Sequence, residues 1–154
     1  MEKDCQYLSW ENAPIGPLLG HAAHLARERM DVRLARYDVT PAQTHVLLYL
    51  GEQSGPTPQR DVVEHLRVKP PTANGILDRL EEKKLICRRA DPEDLQQKRV
   101  CLTEKGRELR VRLQNAFQEG AALTLHGLSE EETAVLRGLL NRIIQNLEED
   151  RISC

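Results

Sequence analysis

Apolar residues recur at the three- and four-residue spacing of amphipathic helices along most of the chain. The first such pattern runs from about Pro14 to about Tyr37, and the last is a stripe of Leu and Ile that follows Ser129. Between them, Thr40-Pro41 and Thr57-Pro58 each place an N-cap residue before a proline that suits the first helical position. The pattern predicts helices that begin near residues 14, 41, 58, 70, 103 and 130.

The centre of the chain predicts two short helices, a tight turn between them and a hairpin after them. Residues 67–69 form the turn, and Pro70-Pro71 open the second helix, because proline is tolerated only in the first turn of a helix. Residues 86–89 and 99–103 alternate apolar with polar side chains and flank an acidic turn at residues 90–94. This alternation predicts a two-stranded hairpin with a long tip.

The second helix of this pair has two chemically different faces. One face is aliphatic, whereas the other carries Thr72, Asn74 and Gly75. Thr and Asn side chains can hydrogen-bond base edges in a major groove about 12 Å wide, and glycine lets the backbone approach closely. Lys69 stands at the helix start, where it can pair with a phosphate. The pattern predicts a recognition helix for double-stranded DNA, in a mainly α protein with a small β-hairpin.

Charge adds modest support for this interpretation. The 154-residue chain has a formal net charge of -2 and contains 3% aromatic residues, which predicts an aliphatic core. Residues 57–106 carry 11 basic and 9 acidic side chains, whereas the rest of the chain carries 11 and 15. The predicted DNA-binding segment is thus the basic part of an acidic chain, although a solvated helical surface would give the same balance.

The helices outside the centre carry more apolar surface than one small domain buries easily. Packing against the same helices of a second copy would cover it, which predicts a homodimer whose recognition helices address two half-sites one helical turn apart. A monomeric bundle is the alternative. The predicted organisation is an N-terminal dimerisation helix in residues 1–37, a winged helix-turn-helix domain in residues 38–106, and C-terminal dimerisation helices in residues 107–154.

The sequence shows no pattern typical of an enzyme or a membrane protein. It has no Gly-rich phosphate loop, no HExxH and no GxSxG, so we expect neither catalysis nor a cofactor. Residues 1–12 lack the apolar stretch of a signal peptide and no window resembles a membrane span, which predicts a cytoplasmic protein. His21 and His24 have a spacing that a metal could use, but no nearby cluster completes the site, so zinc sensing is kept as an alternative.

The four cysteines form no CxxC pair, which argues against a zinc ribbon and favours free thiols. Cys5, with Tyr7 close by, is interpreted as a free thiol rather than an oxidant sensor, because nothing near it in the sequence lowers its pKa. Cys87 and Cys101 fall on the two predicted strands. They are interpreted as a buried thiol pair rather than as a switch.

Five short motifs, taken in order, resemble those of the MarR family of transcription regulators. They are VTPAQ at 39–43, PTANGILDRLE at 71–81, LICRR at 85–89, DPED at 91–94 and LTEKG at 102–106. The resemblance covers nearly the whole chain and implies a dimer that binds a pseudo-palindromic operator through winged helix-turn-helix domains. It also implies regulation of nearby genes, most often repression, and a small amphipathic or phenolic ligand that binds between the dimer helices and the DNA-binding domain.

Pattern and resemblance together predict the site residues. The residues expected at DNA are Thr57, Gln59, Lys69, Pro71, Thr72, Asn74, Gly75, Arg79, Gln96, Lys98 and Arg99. The residues expected to stabilise the wing are Arg88, Asp91 and Asp94, with the tip aspartates paired to Arg88 or Arg89.

The chain departs from the family pattern at the wing and at the end of the recognition helix. Gln96 stands where the family usually has an arginine, so we expect the recognition helix to do more of the DNA binding, with Lys98 and Arg99 as the available cations. Lys84 stands where a glycine usually ends that helix, and a left-handed backbone there costs a lysine about 1 kcal/mol. The alternative function is a dimeric interaction or sensor protein, redox or metal responsive, with weak DNA binding.

Overall fold

The computed structural model describes residues 10–150. The fold is mainly helical with one small antiparallel sheet, as predicted. Its elements are α1 (Ile15–Leu34), α2 (Pro41–Glu52), β1 (Thr57–Pro58), α3 (Gln59–Leu66), α4 (Pro70–Glu82), β2 (Ile86–Ala90), β3 (Lys98–Leu102), α5 (Glu104–Thr124) and α6 (Glu130–Asp150). The described chain divides into two compact units, residues 10–120 and residues 121–150.

Two of the predicted helix starts are confirmed by reciprocal side-chain caps. The hydroxyl of Thr40 accepts a hydrogen bond from the Gln43 backbone N–H at 3.2 Å, and the Gln43 side chain accepts one from the Thr40 N–H. Ser129 and Glu132 form the same box before α6, at 3.1 and 2.8 Å. Each box satisfies backbone donors that would otherwise lack a partner at a helix N-terminus.

The predicted cap at Thr57 is wrong. Thr57 lies in strand β1, its hydroxyl donates to the Gly55 carbonyl oxygen at 3.2 Å, and Pro58 occupies the N-cap position of α3 without a side-chain cap. The reason is a long-range pairing, because Thr57 stands opposite Val100 of β3. The sheet therefore has three strands in the order β1-β3-β2, one more than the predicted hairpin.

The aliphatic core lies where α2, α4 and the sheet meet. Leu47 of α2, Leu77 and Leu80 of α4, and Val100 of β3 are all fully buried in one cluster. Leu113 of α5 joins the same cluster. Burying each such side chain is worth roughly 1.5–3 kcal/mol, so this cluster fixes α4 on the sheet and leaves its opposite face outward.

The junction between β3 and α5 closes against the end of α4. Thr103 donates a hydrogen bond from its hydroxyl to the Lys84 carbonyl oxygen at 2.7 Å and accepts one from the Gly106 N–H at 3.0 Å. A Cβ on Gly106 would lie 2.0 Å from the Leu85 carbonyl oxygen, so only glycine fits there. Lys84 itself is left-handed, with φ 59°, so the lysine adopts the backbone conformation that glycine usually provides at this helix end.

Helix α6 belongs to the second unit and buries none of its residues there. Its apolar side chains include Val135, Leu139, Ile144 and Leu147, each at least 49% exposed. Within residues 10–150, no helix combines the length and apolar character that a membrane span requires.

Candidate nucleic-acid interface

Helices α3 and α4 form a helix-turn-helix pair. The turn between them starts with Arg67 in the left-handed region, at φ 53°, and ends at Lys69, the N-cap of α4. Ala73, Leu77 and Leu80 hold the inner face of α4 in the core. The outer face carries five of the eleven residues predicted to contact DNA, all of them exposed: Pro71, Thr72, Asn74, Gly75 and Arg79.

Gly75 lies at the centre of this outer face. A Cβ added there would meet no atom within 4 Å, and the backbone of Gly75 does not have a positive φ. The fold itself therefore does not require glycine at this position. Because Gly75 has no side chain, a binding partner can approach the backbone of α4 closely at this position.

A cleft of about 760 Å³ runs between α3, α4 and the wing formed by β2 and β3. It brings together four residues predicted to contact DNA: Gln59, Asn74, Gln96 and Lys98. Arg60 and Arg67 also line it, and the sequence analysis did not single them out. Arg60 lies in the first turn of α3, and Arg67 directly follows its last residue. These positions were the available signal in the sequence, because cations at the ends of a helix-turn-helix can reach a DNA backbone.

Gln59 and Asn74 connect the two helices of the pair. The Gln59 side-chain amide donates to Asn74 Oδ1 at 3.2 Å. The Gln59 Oε1 atom is buried and has no hydrogen-bond partner among the described residues. The contact holds the Asn74 amide in one orientation on the outer face, which is what hydrogen bonding to a base edge requires.

Thr57 does not belong to this surface, contrary to the prediction. Its residue is only 5% exposed, and its hydroxyl is used within the loop before α3. The pairing of β1 with β3 turns this side chain inward. A direct contact between the Thr57 side chain and DNA is therefore excluded in this conformation.

Arg88 stabilises the recognition helix and not the wing tip, which corrects the predicted pairing. Its guanidinium reaches Glu81 Oε2 at 2.5 Å and Asp78 Oδ1 at 2.5 Å, both on α4. Burial disfavours the charged guanidinium, but the hydrogen bonds to Glu81 and Asp78 outweigh burial and raise the pKa of Arg88. Alternation along β2 places this side chain on the face of the sheet that meets α4, away from the tip.

The wing tip is held by Arg99, which was expected at DNA. Arg99 Nε donates to Asp91 Oδ2 at 3.0 Å, and Asp91 Oδ1 accepts from the Glu93 N–H at 3.0 Å. The backbone hydrogen bond from Glu93 and the Arg99 guanidinium hold the pKa of Asp91 below its ordinary value. Asp94 accepts a hydrogen bond from the Gln96 N–H at 3.1 Å, so both aspartates order the tip.

Cys87 and Cys101 face each other across β2 and β3, and the structure joins them in a disulfide. Both residues are half-buried. The interpretation of this pair as buried free thiols is therefore wrong. Cys5 and Tyr7 lie outside the described residues.

His21, one of the two histidines with the predicted metal spacing, lies against an aromatic ring. The His21 ring stacks on Trp10, with centroids 4.1 Å apart. In the described part of the chain, no group of three or more His, Cys, Asp or Glu side chains is placed to hold a metal ion.

This arrangement is that of a winged helix-turn-helix protein of the DNA-binding class. The outer face of the recognition helix is exposed, and the wing beside it is held by the ion pair between Arg99 and Asp91. The family model of the MarR family matches residues 37–97, which contain α2, α3, α4 and β2 and end just before β3. The chain belongs to the MarR family of transcription regulators.

Solved structures support this assignment over most of the chain. A probable transcriptional regulator from Pseudomonas aeruginosa is 32% identical, with a TM-score of 0.68, over 84% of this chain and 99% of that one. MepR of S. aureus in complex with DNA is 30% identical, with a TM-score of 0.75, over 88% and 99%. The transcriptional regulator SlyA is 28% identical, with a TM-score of 0.73, over 90% and 96%.

Proposed function

We propose that the protein is a cytoplasmic, homodimeric repressor that binds a pseudo-palindromic operator and releases it when a small ligand binds. The observation that carries this proposal is the outer face of α4, where Thr72, Asn74 and Gly75 lie exposed beside a cleft whose lining has four cations and two carboxylates. A face that is small, polar and fixed by a buried opposite side fits a major groove.

Each residue of the proposed interface has a distinct role. Thr72 and Asn74 hydrogen-bond base edges, and Gly75 allows the α4 backbone to approach them. Lys69 at the start of α4 and Lys98 at the start of β3 bind phosphates, and so set the register of the helix in the groove. The exposure of both lysines supports this role.

A second copy of the chain is the proposed partner that covers the apolar outer helices. Helix α1 exposes Ile15 and Val32 by 63% and 68%, and α6 exposes a longer apolar stripe. Exposed apolar surface of this extent on separate long helices is typical of an oligomer interface. We place dimerisation in residues 1–37 and 107–154, and DNA binding in residues 38–106.

The proposed ligand is a small amphipathic or phenolic molecule. Such a ligand releases DNA by binding more tightly to a dimer geometry whose recognition helices no longer match the operator spacing. The similarity to MepR supports a role in transcription regulation, since MepR is described as a transcription regulator of the multidrug efflux pump MepA.

Fluorescence anisotropy with a labelled duplex from upstream of the chain's own gene tests DNA binding. We expect Asn74→Ala to reduce discrimination between this duplex and a scrambled one by about 1–3 kcal/mol. We expect Lys69→Ala to weaken both duplexes alike and to lower the slope of log K against log salt by about 1. Arg27→Ala, which removes one exposed charge from α1, is the matched control and should change neither.

A dimeric interaction protein with weak DNA binding is the second candidate. The observation that favours it is that Arg88 and Arg99 are ion-paired with carboxylates of the same chain, while Gln96 has no charge. Absence of binding to any duplex at low salt would support this candidate and contradict the repressor. Unchanged binding in both interface variants would show that α4 is not the recognition helix.

A further inference from the structure

The disulfide between Cys87 and Cys101 lies on the outer face of the sheet. The neighbouring residues in the strands, Val100 and Leu102 of β3 among them, are buried on the inner face. On the outer face, the next pair towards the wing tip is Arg89 opposite Arg99. The Arg89 and Arg99 side chains therefore leave the sheet on the same face as the two cysteines, and the Arg99 guanidinium pairs with Asp91 there.

Two cavities give reagents access to this pair. One, of about 440 Å³, is lined by Cys101, Arg89, Arg99 and Asp91 among others. The other, of about 770 Å³, lies between the C-terminal end of α2, the sheet and α5, and both cysteines line it. The two half-buried cysteines thus border open space on the outer side of the sheet.

The larger cavity is strongly positive. Arg89, Arg107 and Arg110 line it, and none of its described lining residues is a carboxylate. Arg89 has no ion-pair partner within residues 10–150, and the buried Nε of Arg110 has no hydrogen-bond partner there. On the smaller cavity Asp91 is already paired with Arg99, and Glu93 is the other acidic residue.

Positive surroundings favour the thiolate form of a cysteine, and the thiolate is the form that reacts with oxidants. A second cysteine directly opposite then resolves the oxidised sulfur. This combination of access, positive charge and a partner sulfur distinguishes a reactive pair from an inert buried thiol.

We propose that Cys87 and Cys101 form a reversible redox site that is oxidised by hydroperoxides and restored by dithiols. One thiolate attacks a peroxide oxygen, takes up that OH to become a sulfenic acid, and releases hydroxide, which a proton converts to water. The opposite thiol then displaces the sulfenic OH as a second water, and the S–S bond forms. In sum, two thiols and one hydrogen peroxide give one disulfide and two water molecules, and a dithiol returns both hydrogens. The site does not require DNA binding.

The experiment uses the full chain with C5S and C154S, which leaves only this pair of cysteines. After reduction and removal of dithiothreitol, one equivalent of hydrogen peroxide should remove both titratable thiols and lower the mass by two hydrogens. The expected product is a single chain on a non-reducing gel, with a peptide that links Cys87 to Cys101, and dithiothreitol should restore both thiols. Persistent thiols, interchain disulfides or sulfinic acids as the main product would overturn the proposal.

A second measurement tests the role of the arginines. The rate of iodoacetamide alkylation against pH should place the pKa of the more reactive thiol below the ordinary value of about 8.5. Arg89→Gln should raise that pKa and slow peroxide oxidation several-fold, whereas the control Arg27→Gln should do neither. A thiol pKa at or above the ordinary value in the parent chain would contradict a site activated by these guanidiniums.

Discussion

At the scale of single residues, a few positions fix how neighbouring elements pack, because their contacts leave no room for another side chain. Gly106 is the clearest, because the Leu85 carbonyl oxygen occupies the place of a Cβ. The LTEKG motif therefore has a physical cause: Thr103 caps α5 and bonds the end of α4, while Gly106 lets α5 pass close to that end. The sequence predicted a helix start near residue 103 but not the close approach, which depends on where β3 places α5.

Gly106→Ala should destabilise the fold by about 1–3 kcal/mol, because the new methyl group can be accommodated only by shifting backbone. Urea unfolding followed by circular dichroism measures the change. Gly20→Ala in α1 is the control, since its added Cβ would meet nothing within 4 Å. That variant should gain about 0.5–1 kcal/mol from helix propensity. Equal stability of the two variants would contradict the close approach at Gly106.

The lowered pKa of Asp91 predicts that acid destabilises the wing. Because its pKa is lowered in the folded state, its ion pair stabilises the fold above the unfolded value of about 3.8. That contribution is lost as pH falls from there through the lower folded pKa. Urea unfolding between pH 2 and 7 should show a smaller loss of stability on acidification in Asp91→Asn than in the parent chain. The control Asp31→Asn, at an exposed position on α1, should lose as much as the parent.

At the scale of elements, local signals predicted the structure wherever the interaction is local. The caps at Thr40 and Ser129 follow from residues three positions apart, and both are present. Thr57-Pro58 carries the same signal but lies in a strand, because its partner Val100 is distant in sequence. Arg88 was assigned to the nearby tip, whereas its partners on α4 are reached only after the sheet packs on that helix.

Arg88 should therefore stabilise the contact between α4 and β2. Arg88→Met keeps most of the packing but removes the bonds to Asp78 and Glu81, and we expect a loss of about 1–2 kcal/mol in unfolding free energy. Arg60→Met is the control, because Arg60 is an exposed cation paired at 3.6 Å with exposed Asp61, and it should change stability by less than about 0.5 kcal/mol. Equal effects would show that the Arg88 pairs contribute no more than a surface pair.

The disulfide should stabilise the hairpin as an element. It closes a loop with a sequence separation of 14. Closing a loop of about that length lowers the entropy of the unfolded chain, which raises the free energy of unfolding by roughly 3 kcal/mol. We expect the oxidised chain to have a higher urea midpoint than the reduced chain. In Cys101→Ser the midpoint should no longer depend on dithiothreitol. An unchanged midpoint in the parent chain would mean that strain or residual structure cancels the gain.

At the scale of the whole molecule, the order of motifs predicted the fold class and the family, since the helix-turn-helix, hairpin and following helix appear in the chain in that sequence. The outward face of α4 was also predictable from its two-sided pattern. The sequence placed Cys87 and Cys101 on the two predicted strands, but it did not predict their bond, which depends on the register between β2 and β3. What remains a proposal is the assembly, which depends on surfaces that a single chain leaves exposed.

A substitution in the apolar stripe of α6 tests whether the chain assembles as a dimer through this helix. Ile144 is 51% exposed, and α6 buries none of its residues in its own unit, so Ile144→Glu should leave the helix content unchanged. A buried glutamate at a dimer contact would be costly, so we expect sedimentation to show a shift from dimer to monomer. DNA affinity should then fall by about 10²-fold or more, because two linked recognition helices bind with a high effective concentration and one does not.

Gln145→Glu is the matched control, since it introduces the same charge at the next exposed position of α6 without removing an apolar side chain. It should remain a dimer and keep its affinity. If Ile144→Glu also remains a dimer with unchanged affinity, the stripe of α6 is not the dimer contact, and the interface must be sought on α1. If it becomes a monomer with unchanged affinity, each recognition helix binds its half-site independently, and the second copy contributes nothing to operator recognition.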